Sequence, residues 1–403
     1  MISDVYHPLS TPTPPMNLST HKSPPHLVSA FFAVISFVIA PALTLASPVQ
    51  TDSAGAGVAP ADGRIAPYHA RFGRTRPVIA VVGENAGTEL TDFVIPYSIL
   101  AQSGVAEVIT VATRPGVIKM RPALQIQPDT TIEEFDARFP DGADFVIVPA
   151  VVKSSDPALL AWVAAQGTKG GTMVSICDGA LVVAGSGLMN GHRATAHWAS
   201  LGHRRDKFPQ VQWVENLRYV ADGRIVSTVG ISAAIPVSLA LVESIAGHEA
   251  ALALAKDVGI AEWGTRHDSK AFRPRLGRNL SAIIKVNLTN GWFHAHRSFG
   301  LPVQPGVDEI ALALTADAYS RTGRSSAYSL ASSSAPLRTR HGLTLVPDRV
   351  VGAPAPAGRI LPSFDDTPSA LWFDKALAGI SALYGKTTAY GVAIDFEFPG
   401  FKK

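Results

Sequence analysis

Four short apolar runs, and the stretches that separate them, restrict this chain more than any other feature. Pro77–Gly83 (PVIAVVG), Glu107–Thr113 (EVITVAT), Asp144–Pro149 (DFVIVP) and Thr172–Ile176 (TMVSI) are rich in β-branched residues and too short to be helices. Between them lie helical patterns. Thr91–Ser103 ends at Gly104, and Asp156–Gln166 has Asp156 at its N-cap and Pro157 in its first turn. Apolar strands that alternate with helices predict an α/β domain: a doubly wound, mostly parallel sheet covered on both faces. Leu217–Val220 and Arg224–Thr228, joined through Ala221–Asp222–Gly223, should pair as a hairpin. Ser232–Ala246 reads as a long apolar helix lying across the sheet.

Composition narrows the partners. Of 403 residues, 47% are hydrophobic and 17% charged, which describes a globular chain with a sizeable core. A net charge of +3, with scattered basic residues, gives no footprint for nucleic acid. One cysteine excludes an internal disulfide, and no Cys/His cluster has metal-site spacing, so neither metal nor cofactor is expected. Residues 1–26 are polar and Pro-rich; residues 27–46 then run without a charge. That length just spans a bilayer, but Pro41 and the small-residue end at Ala46 fit the exit of a signal peptide. As signal or as membrane tether, 27–46 places the chain outside the cytoplasm, on the periplasmic side. Residues 47–74, rich in Ala, Gly and Pro, read as a linker.

The single cysteine falls where the fourth strand meets a helix of small residues (Ala180–Leu188). In a doubly wound sheet, ligands bind beyond the carboxyl ends of the strands, so Cys177 should face a site. A helix N-terminus favours a thiolate, and the N–H of Asp178 could hold an oxyanion. The plainer alternative is that Cys177 is inert packing. Two residues offer it company. Asp92 lies where the first strand–helix connection enters its helix, and could instead merely complement the helix dipole. His197, twenty residues on, could be an ordinary surface or core histidine. Ala150, after the third strand, would lend a backbone N–H across from Asp178.

These stretches resemble the ThiJ/PfpI family of class I glutamine-amidotransferase-like domains. The likeness is greatest to the amidase-like sensor half of AraC-type regulators and to isonitrile hydratases. TDFVIPYSIL (91–100), DFVIVPA (144–150), SICDGALVVAGSGLMNGHRATAHW (175–198) and ADGRIVSTVGISAAIPVSLALVESIAG (221–247) carry it. The resemblance implies a flavodoxin-like fold over residues 75–260. It makes Cys177 the elbow cysteine, Asp92 the acid that hydrogen-bonds its thiol, and His197 the histidine nearby. The chain departs from the pattern at Asp178, where regulator-type relatives carry a small or hydroxyl residue, and at Ala150, where glycine is common. A carboxylate at 178 should raise the thiol pKa unless its side chain turns away.

Residues 261–403 show no paired basic helices of a DNA-binding region. Residues 261–300 read as a connecting segment and 301–403 as a degenerate second α/β unit. A shift of 219 residues lays Gln102–Asp129 on Arg321–Asp348 without a gap: Gly104 meets Gly323, Ile126 meets Leu345, Pro128–Asp129 meets Pro347–Asp348. Glu89 meets Asp308, whereas Asp92 meets Ala311, and this copy has no elbow cysteine. Such a copy would make an internal pseudo-dimer; a homodimer is the other arrangement the repeat allows. Asn279–Lys285 and Trp292–Phe299 fit neither copy, and His294 and His296 read as polar surface. Two functions compete: thiol-dependent hydrolase, hydratase or stress-related chemistry on a small molecule, and a non-catalytic small-molecule sensor.

Overall fold

The computed structural model describes residues 64–352 and 358–401. The strands of the first unit are β1 (Val78–Gly83), β2 (Glu107–Ala112), β3 (Ile118–Arg121), β4 (Gln125–Gln127), β5 (Thr130–Thr131), β6 (Phe145–Val148), β7 (Thr172–Ser175), β8 (Tyr219–Asp222) and β9 (Ile225–Thr228). Seven of them form one sheet in the order β8-β9-β7-β6-β1-β2-β5, parallel throughout except for the β8–β9 hairpin. Its helices are α1 (Leu90–Ser103), α2 (Ile132–Arg138), α3 (Pro157–Thr168), α4 (Ala180–Gly185), α5 (Leu201–Lys207), α6 (Ala234–Ala246) and α7 (His248–Val258). This is the α/β, doubly wound arrangement that the alternating pattern predicts. Local chemistry fixes the boundaries: Asp156 caps α3 through the Leu159 N–H at 3.1 Å, and Thr131 with Glu134 forms a capping box on α2.

Residues 64–74 correct the linker reading at its C-terminal end. They lie along the first unit, where the Tyr68 N–H donates to Ser244 O at 2.8 Å and Arg74 pairs with Asp144 at 2.7 Å. Arg71, which donates to the carbonyls of Lys169 and Gly170, and Arg74, on the buried Asp144, account for this, a signal that composition alone conceals. Residues 27–46 lie outside the described residues. Among the described residues no helix is long and apolar enough to cross a membrane.

The C-terminal third repeats the first half of the sheet. Its strands are β10 (Arg297–Pro302), β11 (Ser325–Ala331), β12 (Leu337–Arg338), β13 (Thr344–Leu345), β14 (Arg349–Val350) and β15 (Arg359–Ile360), with helices α8 (Glu309–Ser320), α9 (Trp372–Tyr384) and α10 (Lys386–Asp395). The order β14-β11-β10-β15 reproduces β5-β2-β1-β6, again parallel. A polar staple is copied with it. Thr110 Oγ1 donates to Asp129 Oδ2 at 2.7 Å and receives the Asp129 N–H at 2.8 Å; Ser329 and Asp348 make the same pair of bonds at 2.8 and 2.8 Å. Gly104 and Gly323, with φ of +67° and +69°, take a conformation that favours glycine at matching positions after α1 and α8; Gly104 caps α1 directly, whereas Arg321 caps α8 and Gly323 follows two residues on. The copy begins earlier than the sequence suggests, because β10 already includes Arg297–Phe299.

The copies differ downstream. From β6 to α6 the first unit uses residues 149–233, whereas from β15 to α9 the second uses 361–371. What is missing is the half of the sheet that carries the elbow. The two copies join symmetrically: β4 pairs antiparallel with β13, and Ile126 lies opposite Leu345, its own counterpart. α1 packs on α8, and residues 90–100 and 309–319 are buried on every side. A helix apolar all round belongs in an interior. Here that interior is one hydrophobic core shared by both copies.

Candidate active site

The elbow is built by close approach. After β7, Ile176 is still extended; Cys177 then takes φ +54°, a left-handed conformation that costs a non-glycine residue about 1–2 kcal/mol. Its N–H donates to Thr228 Oγ1 on β9 at 3.1 Å. A Cβ on Gly179 would stand 1.9 Å from Val148 O, so this turn rests on the end of β6 and admits only glycine. Neighbouring strands on both sides thus hold Cys177 at the carboxyl edge of the sheet.

The surroundings of the thiol oppose the thiolate expected at the helix start. Cys177 is 7% exposed, and burial pushes its thiol well above the ordinary range, helped by the charges of Asp92, Asp178 and Glu89. The Asp178 N–H acts in the opposite direction. Helix α4 spans only Ala180–Gly185, and burial, with the acidic groups beside the thiol, acts against its N-terminal field.

Asp92 is fully buried. Its Oδ2 accepts the Ala150 N–H at 3.2 Å, and its Oδ1 has no hydrogen-bond partner. Burial pushes its carboxyl up to about 8, against the pull of the Ala150 N–H and of Arg321. At neutral pH the group therefore carries a proton. No hydrogen bond joins Asp92 and Cys177 among the described residues, and the carboxyl opposes the thiolate by charge only once it is itself ionised, as pH rises through about 8. Ala150 is corrected as well: its N–H serves Asp92 and is not a free oxyanion donor, which leaves the N–H of Asp178. The Asp178 side chain turns outward, where Oδ1 accepts Ser200 Oγ at 2.6 Å. Ser200 Oγ in turn accepts Arg204 Nη1 at 3.0 Å. Arg204 is itself buried, which lowers its pKa to about 10 despite the nearby Asp178 and Glu397.

His197 does not complete a triad. Its Nδ1 accepts the Ala199 N–H at 3.3 Å, and its Nε2 lies 3.0 Å from Asp395 O, so the proton sits on Nε2 and both ring nitrogens are taken. The second copy has captured it. Glu397, also from that copy, is fully buried and accepts the Trp198 N–H at 2.9 Å, the Gly230 N–H at 3.2 Å and His267 Nε2 at 2.7 Å. Nearby, Arg321, the residue that caps α8, spans three carboxylates: Asp317 at 2.5 Å, Asp395 at 2.6 Å and Glu89 at 2.5 Å. Asp317 also accepts Thr91 Oγ1 at 2.9 Å. Burial holds the Glu89 carboxyl well above its ordinary value although Arg321 pulls it down. A cleft of about 450 Å³ lies to one side, lined by Arg218, Glu262, His267, Tyr390 and Phe398. His267, which lines it, also bonds Glu397. Among the described residues no three His, Cys, Asp or Glu side chains could hold a metal.

Residues 78–244 match the model of the DJ-1/PfpI family. This stretch contains both Asp92 and the Cys177 elbow. It is a DJ-1/PfpI family domain. Isonitrile hydratase of Pseudomonas putida is 28% identical over 165 residues, 40% of this chain and 68% of that protein. The HTH-type transcriptional regulator CdhR of Pseudomonas aeruginosa is 27% identical over 137 residues, 34% of this chain and 40% of the regulator. The crystal structure of Drosophila melanogaster DJ-1beta aligns with a TM-score of 0.42 and 22% identity, covering 46% of this chain and 100% of that one.

The match stops within α6, so the second copy lies outside the DJ-1/PfpI domain and still places charged groups beside it. Arg321, Asp317, Asp395 and Glu397 all escaped the sequence reading. One signal was available for Arg321: the shift of 219 lays it on Gln102, a neutral residue replaced by a cation. Glu397 left none, because it lies beyond the helices that close the copy.

Proposed function

We propose that the DJ-1/PfpI domain uses Cys177 and Asp92 to hydrate a small uncharged molecule with a polarised carbon–nitrogen bond. The observation that carries this reading is the Asp92 carboxyl: buried, pushed up to about 8, with Oδ1 free of partners. Such a group is an acid at neutral pH. Asp92 gives its proton to the substrate while the Cys177 sulfur forms a bond to the electrophilic carbon. The thiol proton passes to the Asp92 carboxylate. Water then adds to that carbon, the carbon–sulfur bond breaks, one proton of the water goes to the substrate nitrogen and the other restores the thiol. The raised thiol suits this order, since proton donation activates the substrate and no standing thiolate is needed. Glu89, Asp178, Asp317 and Asp395 outnumber Arg321 and Arg204 and disfavour anions. The likeness to isonitrile hydratase supports the substrate class.

A panel of small isonitriles and nitriles tests the proposal. Wild type should hydrate at least one, Cys177→Ala none, and Asp92→Asn should be slower at neutral pH. Turnover by Cys177→Ala at the wild-type rate would overturn it. A sensor is the second reading, favoured by the raised thiol, the cover from the second copy and the likeness to CdhR. Under it, a ligand raises the melting temperature of wild type and Cys177→Ala equally, with no product formed. Export or tethering through 27–46 belongs to both readings and is tested by cell fractionation.

A further inference from the structure

Leu280–Ile284, the π-helical Lys285–Thr289 and Asn290–Phe293 run on as one helical segment between α7 and β10. Its inner face is ordinary: Ala282, Val286 and Asn290 are buried. Its outer face is not. Ile284, Leu288 and Trp292 are exposed on one side at helical spacing, and Phe293 follows them. Trp292 is 74% exposed, Phe293 73%, and Leu276, just ahead of the segment, 90%. A solvent face would carry polar residues at these positions.

The charge around this face has one sign. Between Asp268 and Asp308 the sequence contains no acidic residue, while Lys270, Arg273, Arg275, Arg278, Lys285 and Arg297 lie there. Among the described residues only Arg273 of these is paired with a carboxylate, Glu215. Arg275 and Arg278 flank Leu276 at one end, and His294, His296 and Arg297 follow Phe293 at the other, all of them exposed. We propose that residues 275–297 dock on the surface of an anionic lipid bilayer, with Ile284, Leu288, Trp292 and Phe293 entering the headgroup region. An exposed apolar helix face with a tryptophan at its end and unpaired cations on both flanks fits that interface. An acidic protein would match the charge but gives no reason for four large apolar side chains to stand in water without a groove. The reading is independent of the Cys177 chemistry.

The test uses the full chain, because residues 27–46 could bind vesicles by themselves and only a local probe separates the two. Leu288→Cys in a Cys177→Ala background carries an environment-sensitive fluorophore, and Leu252→Cys, exposed elsewhere, is the control. Trp292→Cys repeats the reading should the first label disturb folding. On vesicles of phosphatidylcholine with phosphatidylglycerol, the 288 label should shift to the blue and the 252 label should not. High salt, or Arg275→Glu with Arg278→Glu, should abolish the shift. No shift at either 288 or 292 on these vesicles overturns the proposal. So does an equal shift on phosphatidylcholine alone, or a shift that grows with protein concentration without vesicles, which would make a second copy of the chain the occupant.

Discussion

The two copies share a sheet order, a polar staple and a pair of closing helices, and differ in the half of the fold that one of them has lost. The first retains β7, the elbow and the β8–β9 hairpin; the second passes from β15 to α9 in a short connection. The difference teaches that the framework and the chemistry of this fold are separable. The second copy has kept what buries α1 and α8 against each other. With no elbow of its own, it contributes Arg321, Asp395 and Glu397 to the walls of the first copy's site.

The sharpest break in the comparison is Gly179→Ala. No position in the second copy corresponds to it, and its Cβ would meet Val148 O at 1.9 Å. We expect a loss of about 4 kcal/mol in chemical denaturation, as for other overpacked backbone contacts, with loss of whatever activity Cys177 supports. Next is Arg321→Ala, which strips the cation from Asp317 and Glu89. Breaking a buried pair costs about 3 kcal/mol. The loss should be seen in one cooperative transition, because the core is shared. Separate transitions for the two copies would contradict that. Ile126→Ala and Leu345→Ala face each other across the join and are both 1% exposed. Each should cost about 2–4 kcal/mol, and similar values would confirm the symmetry. Smallest are Thr110→Ala and Ser329→Ala, each removing one side of a staple to Asp129 or Asp348, at about 1 kcal/mol. A staple that matters in only one copy would show that the framework has also diverged.

Much of this was legible in the chain. The alternation of apolar runs and helical patterns was enough for the parallel sheet, because a buried strand must be apolar along its length. The junction of TMVSI with a small-residue helix located the elbow. The ungapped shift from Gln102–Asp129 to Arg321–Asp348 was legible because the staple and the join need the same residues in both copies. The electrostatics of the site were legible only in part. Asp178, next to the thiol, was legible as a charge that opposes the thiolate; Glu89 and Asp92, from one stretch at the start of α1, reach the thiol only through the fold. His197 was read as a catalytic neighbour; Asp395 O, nearly two hundred residues away, holds it instead. Ala150 was read as a free donor because its acceptor, Asp92, was assigned to the thiol.

The central claim is that the second copy's arginine bears on the protonation of the first copy's buried acid beside the lone cysteine. The most direct test follows the Asp92 carboxyl by carbon-13 NMR across pH, in wild type and in Arg321→Gln. The account predicts titration at about 8 in wild type, far above the ordinary 3.8, and higher still in the variant, where the cation that favours the carboxylate is gone. The sign carries into stability. A carboxyl whose folded pKa exceeds its unfolded one binds its proton more tightly in the folded state, so its contribution is fullest below about pH 4 and fades as pH rises toward 8. Wild type should therefore lose melting temperature over that range relative to Asp92→Asn. Titration of Asp92 near 3.8, or a value indifferent to Arg321, would contradict the account.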